Sequence, residues 1–466
     1  MPAIPLAKGY NKRSQNQPVR LFNMFFEADP TNLKDQVALL SRAGLDPVGS
    51  AGAGFIAGLI RREDTNDSVV GVSGEFFFAV TPDGTVTMGS GGIVGSTRVR
   101  MATDGSNTMI VRSGAIYCKP LSGAVATIAM PDDRAAYDVV FLASRFWIAS
   151  EAGRVYFTNP GETTVDALNY FTAETSPDAL IGVGVDGDQL VLFGRSSIEW
   201  YYMTSDVDLP AQRIQGRRST AGLASVYSLA TTDAGLAWVG DDGIVYRSGD
   251  LPIPISDPSI AEAVRRARPR INTDDPATTM SGWSFALEQH AFYVLDLPGE
   301  GSFAYDFATN QWSEFGTVDQ PLFLAGCGAK QADGRWIVGS TFSSDIHAID
   351  PDTYDDAGAP LVRRFPGLTR TDQNLRFSNV QVDCSVGGAG LDYPGDNPKL
   401  AMHYSDDVGK TWVDWSYASL GRQGSRQKPR FKFPRGQRPG TRIWEWRMSD
   451  AIPFTAHGAT YNEPVV

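Results

Sequence analysis

Short stretches of alternating apolar and polar residues recur along most of the chain, and Gly or Asp usually separates them. Because side chains of a β-strand point alternately to opposite faces, this alternation predicts half-buried strands. The intervening Gly and Asp residues suit tight hairpin turns, which require positive φ. Such hairpin units occur at residues 69–88, 108–118, 139–157, 180–202, 226–246, 283–312 and 322–349. The sequence therefore predicts an all-β protein.

The hairpin units follow one another at a regular distance. Aromatic residues or their equivalents in the second strands fall near Met88, Tyr117, Tyr156, Trp200, Tyr246, Tyr305 and His347. Their mean spacing is about 40 residues, which is the period of a four-stranded propeller blade. We therefore predict a β-propeller of about six blades, with five to seven compatible with the pattern.

Other parts of the chain depart from this repeat. Residues 258–270 place Ile260, Ala263, Val264 and Ala267 at helical spacing before Pro269, which predicts a short amphipathic helix. Five further alternating segments predict a C-terminal sheet or sandwich: Leu375–Val386, Leu400–Tyr404, Thr411–Tyr417, Arg430–Phe433 and Thr441–Met448. The expected organisation is an irregular N-terminal arm over residues 1–50, a propeller over 51–370 and a basic C-terminal β-rich region over 371–466.

Charge is distributed unevenly along the chain. The net charge of −12 combines +8 between Arg422 and Arg447 with −20 in the remainder. The basic residues are Arg422, Arg426, Lys428, Arg430, Lys432, Arg435, Arg438, Arg442 and Arg447. Alternation in residues 430–433 predicts a strand with one aromatic and one cationic face. We interpret these cations as a docking surface for an acidic neighbouring subunit; a nucleic-acid surface is the alternative.

No arrangement of residues predicts catalysis, a cofactor or a metal ion. The sequence has no G-x-S-x-G elbow and no P-loop, and its four histidines show no helical pairing. The three cysteines, Cys118, Cys327 and Cys384, form no C-x-x-C motif. No run approaches the ~18 apolar residues of a membrane span, and the N-terminus lacks the apolar core of a signal peptide.

One motif keeps a sugar-related alternative open. Residues 404–412 fit the Asp-box pattern through Ser405, Asp407, Gly409, Thr411 and Trp412. In sialidases this motif is a structural hairpin in which the Asp braces the turn and the Trp packs beneath it. Because many propellers bind or cleave sugars, a propeller glycosidase or sugar-binding protein is the alternative function. A monomeric propeller adaptor is a third reading.

Residues 171–201 carry a resemblance to a known family. The segment FTAETSPDALIGVGVDGDQLVLFGRSSIEWY is similar to the signature of the packaged-DNA stabilisation proteins of short-tailed bacteriophages, which form the tail hub or nozzle. The matching positions include Glu174, Pro177, Asp178, Gly182, Gly184, Phe193, Gly194, Ser197 and Glu199. Weaker similarity extends over residues 22–30, 40–45 and 254–265.

The resemblance implies a structural virion protein and not an enzyme. It implies a ring, normally of six copies, below the portal and its adaptor, assembled in the host bacterial cytoplasm. Such a ring closes the channel to retain packaged DNA, conducts double-stranded DNA during ejection, and offers an attachment surface for a needle, plug or tailspike. The family provides no catalytic residue that could be transferred to this chain.

Overall fold

The computed structural model describes residues 3–7, 9–10, 20–28, 37–63, 68–173, 178–370, 375–388, 397–433, 437–438 and 441–462. Its contacts divide the chain into two compact units. The propeller unit comprises residues 47–302 and 322–349, and the sandwich unit comprises 1–46, 303–321 and 350–466. The first strands are β1 (Ala3–Ile4), β2 (Met24–Ala28), β3 (Val37–Ser41) and β4 (Gly44–Ser50).

Five four-stranded antiparallel sheets follow, each built from strands that are consecutive in the chain. The first contains β5 (Ile56–Arg61), β6 (Val69–Ser73), β7 (Phe76–Val80) and β8 (Val86–Met88). The second contains β9 (Arg100–Thr103), β10 (Asn107–Arg112), β11 (Ala115–Pro120) and β12 (Ala126–Ile128). The third contains β13 (Ala136–Leu142), β14 (Arg145–Ser150), β15 (Arg154–Phe157) and β16 (Tyr170–Thr172). The fourth contains β17 (Leu180–Asp186), β18 (Gln189–Gly194), β19 (Ile198–Met203) and β20 (Ala211–Ser219). The fifth contains β21 (Ala230–Thr232), β22 (Gly235–Val239), β23 (Val245–Arg247) and β24 (Ile253–Pro254).

Two more sheets continue this pattern. One has the strands β25 (Ser281–Leu287), β26 (His290–Leu297), β27 (Gly301–Asp306) and β28 (Gln311–Phe315). The other has β29 (Ala325–Lys330), β30 (Trp336–Ser340) and β31 (Asp345–Asp350), followed in strand order by β4. The described chain thus has seven blade sheets, the last of which continues beyond β4 through short strands at Asp355–Asp356 and Ala359–Pro360. This number lies within the predicted range and is one more than its central value.

The innermost strands of the propeller unit close a circle. β5 contacts β9, β9 contacts β13, β13 contacts β17, and β17 reaches the fifth sheet through β22. β21 then contacts β25, β25 contacts β29, and β29 returns to β5. Closure also joins distant parts of the sequence, because the amide of Ala51 donates to the carbonyl of Ser344 at 2.9 Å. Packing each sheet against the next around a closed circle defines a β-propeller.

The predicted helix is confirmed as α1 (Pro258–Ala267). The carboxylate of Asp257 caps its first turn by accepting from the amides of Ser259 and Ile260. All four predicted apolar positions are buried. Short 3-10 turns lie at Pro131–Asp133, Glu151–Gly153, Val226–Ser228, Arg268–Arg270 and Pro276–Thr278.

The remaining strands belong to the C-terminal part of the chain. They are β32 (Asp355–Asp356), β33 (Ala359–Pro360), β34 (Arg363–Thr369), β35 (Leu375–Arg376), β36 (Asn379–Cys384), β37 (Lys399–Ser405), β38 (Val413–Ser419), β39 (Arg430–Lys432), β40 (Gln437–Arg438), β41 (Arg442–Met448) and β42 (Thr455–Tyr461). One sandwich sheet has the order β2-β3-β42-β36-β39, with β1 beside β42, and the other has the order β34-β41-β37-β38. Both contribute to one core through Leu39, Val380, Phe365 and Trp446, as the predicted sandwich requires.

The expectation of an irregular arm over residues 1–50 is corrected by the structure. β3 pairs with β42 through Leu39 and Ala456, and β1 pairs with β42 through Ala3 and Thr460. The two ends of the chain therefore fold together, and the compact units do not follow the expected boundaries at residues 50 and 370. These strand pairs join residues more than 400 positions apart, so no local sequence pattern predicts them.

Candidate functional site

A buried carboxylate links several blades near the centre of the propeller unit. Asp138, on β13, is fully buried. It accepts from Arg100 Nε at 2.8 Å, from its neighbouring amide of Val139 at 2.8 Å and from the amide of Val183 at 3.1 Å. Arg100 Nη1 also donates to the carbonyl of Leu229 at 2.9 Å. These bonds join the second, third and fourth sheets and the residue that precedes β21 of the fifth sheet.

A second arginine joins the other side of the circle. Arg98 is buried and donates through Nη1 to the carbonyl of Gly326 at 2.9 Å and through Nη2 to Thr341 Oγ1 at 3.2 Å. Its Nη2 lies 3.8 Å from Asp296 Oδ2. Burial raises the pKa of Asp296 to about 6, although Arg98 opposes this shift. None of these charged residues was among the predicted site residues.

The inner strands surround a small cavity of about 430 Å³. Arg98, Arg100, Val139, Tyr227 and Trp283 contribute to its lining. At roughly 30 Å³ per water, this volume corresponds to on the order of ten water molecules. The major groove of B-DNA alone is ~12 Å wide. A DNA duplex therefore does not fit into the centre of this propeller.

Several residues of the family signature meet at the turn between β18 and β19. Asp178 Oδ2 accepts from the amide of Ser196 at 2.6 Å and from the hydroxyls of Ser196 and Ser197 at 3.1 Å each. A Cβ at Gly194 would lie 2.5 Å from the same oxygen, so a larger residue there would displace the Asp178 carboxylate. Asp178, Gly194 and Ser197 thus form a clamp that fixes the connection between β18 and β19.

Other signature residues support packing between blades. A Cβ at Gly182 would lie 3.2 Å from Asp138 Oδ2, and one at Gly184 would lie 2.7 Å from Leu236. Phe193 is buried against Trp238 at a ring distance of 5.2 Å. The buried carboxylate of Glu199 accepts from the Tyr201 hydroxyl at 3.0 Å. Glu174 and Pro177 lie outside the described residues.

We expect Asp178→Ala to lower the free energy of unfolding by about 1–2 kcal/mol, because three donors lose a charged acceptor. Asp188→Asn, at an exposed turn position of the same sheet, is the matched control and should change stability by less than about 0.5 kcal/mol. Guanidinium denaturation compares both variants with the wild type. Equal effects of the two substitutions would contradict the proposed clamp.

The Asp-box-like segment forms the braced turn that the motif predicts. Asp407 accepts from the amide of Thr411 at 2.8 Å and from its hydroxyl at 2.6 Å, while Ser405 Oγ donates to Asp407 at 2.8 Å. The hydrogen bonds from Thr411 lower the pKa of Asp407 to about 2. Gly409 occupies positive φ. Trp412 differs from the motif's usual arrangement, because 40% of its surface stays exposed.

The predicted basic residues occupy different environments. Arg422, Arg426, Lys428, Lys432 and Arg447 are exposed. Arg430 is half-buried and donates to Gln381 at 2.6 Å, and Lys428 lies 2.7 Å from Asp383. Phe431 and Phe433 are buried beside Lys432, as the alternation predicts. Arg435 lies outside the described residues, as does the side chain of Arg438, whose backbone belongs to β40.

Arg442 was predicted to be a docking residue, and this prediction is wrong because the structure places Arg442 in the core of the sandwich unit. It is fully buried and forms two bonds to Asp406, at 2.6 and 2.7 Å. Its guanidinium carbon lies 3.9 Å from the ring centroid of Tyr404 and 5.0 Å from that of Trp444. Its position in β41 has the same parity as Trp444 and Trp446, so its side chain points into the sandwich core.

The described residues contain no group of three or more His, Cys, Asp or Glu side chains arranged to hold a metal ion. Within that same part of the chain, no helix is both long and apolar enough to cross a membrane.

Seven sheets around a closed circle place the protein among the β-propellers. Its sequence matches, over residues 2–354, the model of the phage stabilisation family described as bacteriophage P22 Gp10, β-propeller. The chain belongs to this family. No curated protein matches the sequence.

The chain also shows similarity to solved structures of other proteins. A streptogramin B lyase structure is 10% identical, covers 66% of this chain and 96% of its own, and has a TM-score of 0.45. The WD40 β-propeller domain of Doa1 is 10% identical, covers 66% of this chain and 97% of its own, and has a TM-score of 0.41.

Proposed function

We propose that this protein is a structural component of a phage tail. Six copies form a hub or nozzle ring below the portal and adaptor, retain packaged DNA, and conduct it during ejection. The match to the phage stabilisation family over residues 2–354 carries this proposal. No catalytic step is part of it.

The small size of the central cavity supports a DNA channel formed by a ring of several copies and not by a single chain. A cavity of about 430 Å³, lined in part by Arg98 and Arg100, cannot admit a duplex. Conduction of DNA therefore requires a channel enclosed by several copies. A closed ring of identical copies uses a heterologous interface repeated by rotation. A stable interface of this kind buries about 800 Å² per partner.

The exposed cations of the sandwich unit are the proposed docking surface. Arg426, Lys428 and Lys432 are exposed, while the chain outside residues 422–447 carries a net charge of −20. Opposite charges steer association and fix the relative orientation of partners. We propose that this surface contacts an acidic region of the neighbouring copy or of the adaptor. A needle, plug or tailspike would attach elsewhere on the ring.

Mass measurement tests the proposal directly. Native mass spectrometry and analytical ultracentrifugation of the purified chain, alone and with a portal–adaptor complex, should show six copies in a ring. A protein that stays monomeric and does not join the portal–adaptor complex would contradict the proposed hub.

A charge-reversal variant tests the docking surface. We expect Arg426→Glu, Lys428→Glu and Lys432→Glu together to weaken ring formation at least about tenfold, because attraction becomes repulsion. The matched control reverses Arg195, Arg265 and Lys330, which are equally exposed and lie in the propeller unit. If the two triple variants assemble equally well, the basic surface is not the docking surface. The proposal that the protein forms a ring would be unaffected.

A further inference from the structure

The outer face of one sandwich sheet carries a cluster of charged side chains. In the sheet β34-β41-β37-β38, Phe365 and Trp446 point into the core. The residues of opposite parity line a pocket of about 490 Å³ on the other face: Arg364, Glu445, Arg447, His403 and Asp414. Arg20 and Trp412 complete the lining. The docking surface tested above through Arg426, Lys428 and Lys432 lies outside this pocket, although Arg447 is also one of the predicted docking residues.

Two arginines stand directly opposite each other in this pocket. Arg364 and Arg447 are register partners on β34 and β41, which places their Cβ atoms ~5 Å apart. Like charges in this position destabilise a sheet. Among the described residues, no carboxylate lies within 4 Å of either guanidinium, and the buried Nε of Arg364 has no hydrogen-bond partner there. The pair is therefore suited to an added anion.

The other polar groups of the pocket contact one another. Arg20 Nε donates to Glu314 at 2.8 Å, and His403 Nδ1 lies 2.6 Å from Asp414 Oδ1. Glu445 stands opposite Pro366 on one side and His403 on the other. With His403 neutral, the three arginines Arg20, Arg364 and Arg447 match the three acids Glu314, Asp414 and Glu445 in number, so the adjacent guanidiniums of Arg364 and Arg447 favour a small ligand with a single negative charge over a polyanion. A carboxylate suits two guanidiniums, each of which can donate two parallel hydrogen bonds.

The rest of the pocket favours a sugar as the carrier of that carboxylate. Trp412 presents an exposed indole ring, on which the apolar face of a pyranose can pack. Asp414 and Glu445 are acceptors for sugar hydroxyls. A nucleic-acid strand fits less well, because its successive phosphates would approach these two carboxylates.

We propose that this pocket binds a carboxylated sugar residue, such as a uronic acid unit of an acidic polysaccharide. Arg364 and Arg447 bind the carboxylate, Trp412 stacks on the ring, and Asp414 and Glu445 accept from its hydroxyls. The binding is reversible and involves no bond cleavage.

Binding of small probes to the full-length chain tests the proposal. Saturation-transfer NMR and calorimetry should detect glucuronic or galacturonic acid but not glucose. Arg447→Gln, at an exposed position, should lower the affinity about tenfold or more, because a charge-assisted contact to the carboxylate is lost. Arg265→Gln, at an exposed position of the propeller unit that is not in the pocket lining, should leave the affinity unchanged.

Several outcomes would overturn the proposal. They are absence of uronic acid binding, equal binding of glucose, or an affinity that responds equally to both substitutions. Competition by inorganic phosphate or oligothymidylate as strong as by the uronic acid would instead assign a phosphate site. Competition by an acidic peptide at the same concentration would assign a protein-docking site. Weaker ring assembly of the Arg447 variant with an unchanged affinity for the uronic acid would instead assign Arg447 to the docking surface.

Discussion

Replacing Asp138 by alanine is expected to lower the free energy of unfolding by about 3–5 kcal/mol, because the substitution leaves a partly buried guanidinium without its anion. Arg100 would keep only its bond to the carbonyl of Leu229. The amides of Val139 and Val183 would each lose an acceptor inside the propeller unit. The loss exceeds that of a surface ion pair because water cannot replace these partners.

The Asp138 experiment has a control in the same unit. Asp333 pairs with Arg335 at 2.6 Å, but both side chains are more than a third exposed. Asp333→Ala should therefore cost less than about 1 kcal/mol. Guanidinium denaturation gives both values, and hydrogen exchange followed by mass spectrometry should show faster exchange over residues 136–142 and 180–186 only for Asp138→Ala. A cost below 1 kcal/mol for Asp138→Ala would refute the buried linkage.

The second large effect is expected at Asp356 in the sandwich unit. Its side chain is completely buried and accepts from Arg42 at 2.9 and 2.6 Å and from the hydroxyl of Thr317 at 3.2 Å. Arg42 Nε also donates to Asn23 Oδ1 at 2.8 Å. Asp356→Ala should destabilise the protein by about 3–5 kcal/mol, since the buried guanidinium of Arg42 would lose both of its hydrogen bonds to this carboxylate.

Asp383→Ala is the control for Asp356→Ala. Asp383 pairs with Lys428 at 2.7 Å, and roughly half of each side chain is exposed. We expect it to change the free energy of unfolding by less than about 1 kcal/mol. Thermal and guanidinium unfolding of the full chain measure the difference. If both variants unfold at the wild-type midpoint, the buried pair does not stabilise this unit.

The local elements of the fold could be predicted because their signals are local. Short apolar runs in β10, β14 and β18 mark buried strands, and the spacing of Ile260, Ala263 and Val264 marks α1. The braced turn around Asp407 also follows from residues within a short window. These features depend on neighbours in sequence, so their patterns survive without knowledge of the tertiary structure.

The polar centre of the propeller was missed because its partners are far apart in sequence. Arg100 and Asp138 are separated by 38 residues, and Asp138 and Val183 by 45. One signal was available: Asp138 and Asp296 interrupt otherwise apolar strands. A charge at such a position indicates a buried partner, although not which residue provides it. The parity of Arg442 with Trp444 was a similar signal that it points inward.

Because β4 belongs to the seventh sheet, the propeller can close only after most of the chain has been synthesised. The seventh sheet needs β4, which ends at Ser50, and β31, which ends at Asp350. At ~5–20 residues per second, the ribosome takes roughly 15–60 s between completing these two strands. Until then the growing chain presents an unclosed arc whose terminal strand edge can recruit foreign strands. Host chaperones, or slow expression at low temperature, should therefore affect the yield of this protein more than that of a propeller closed by adjacent strands.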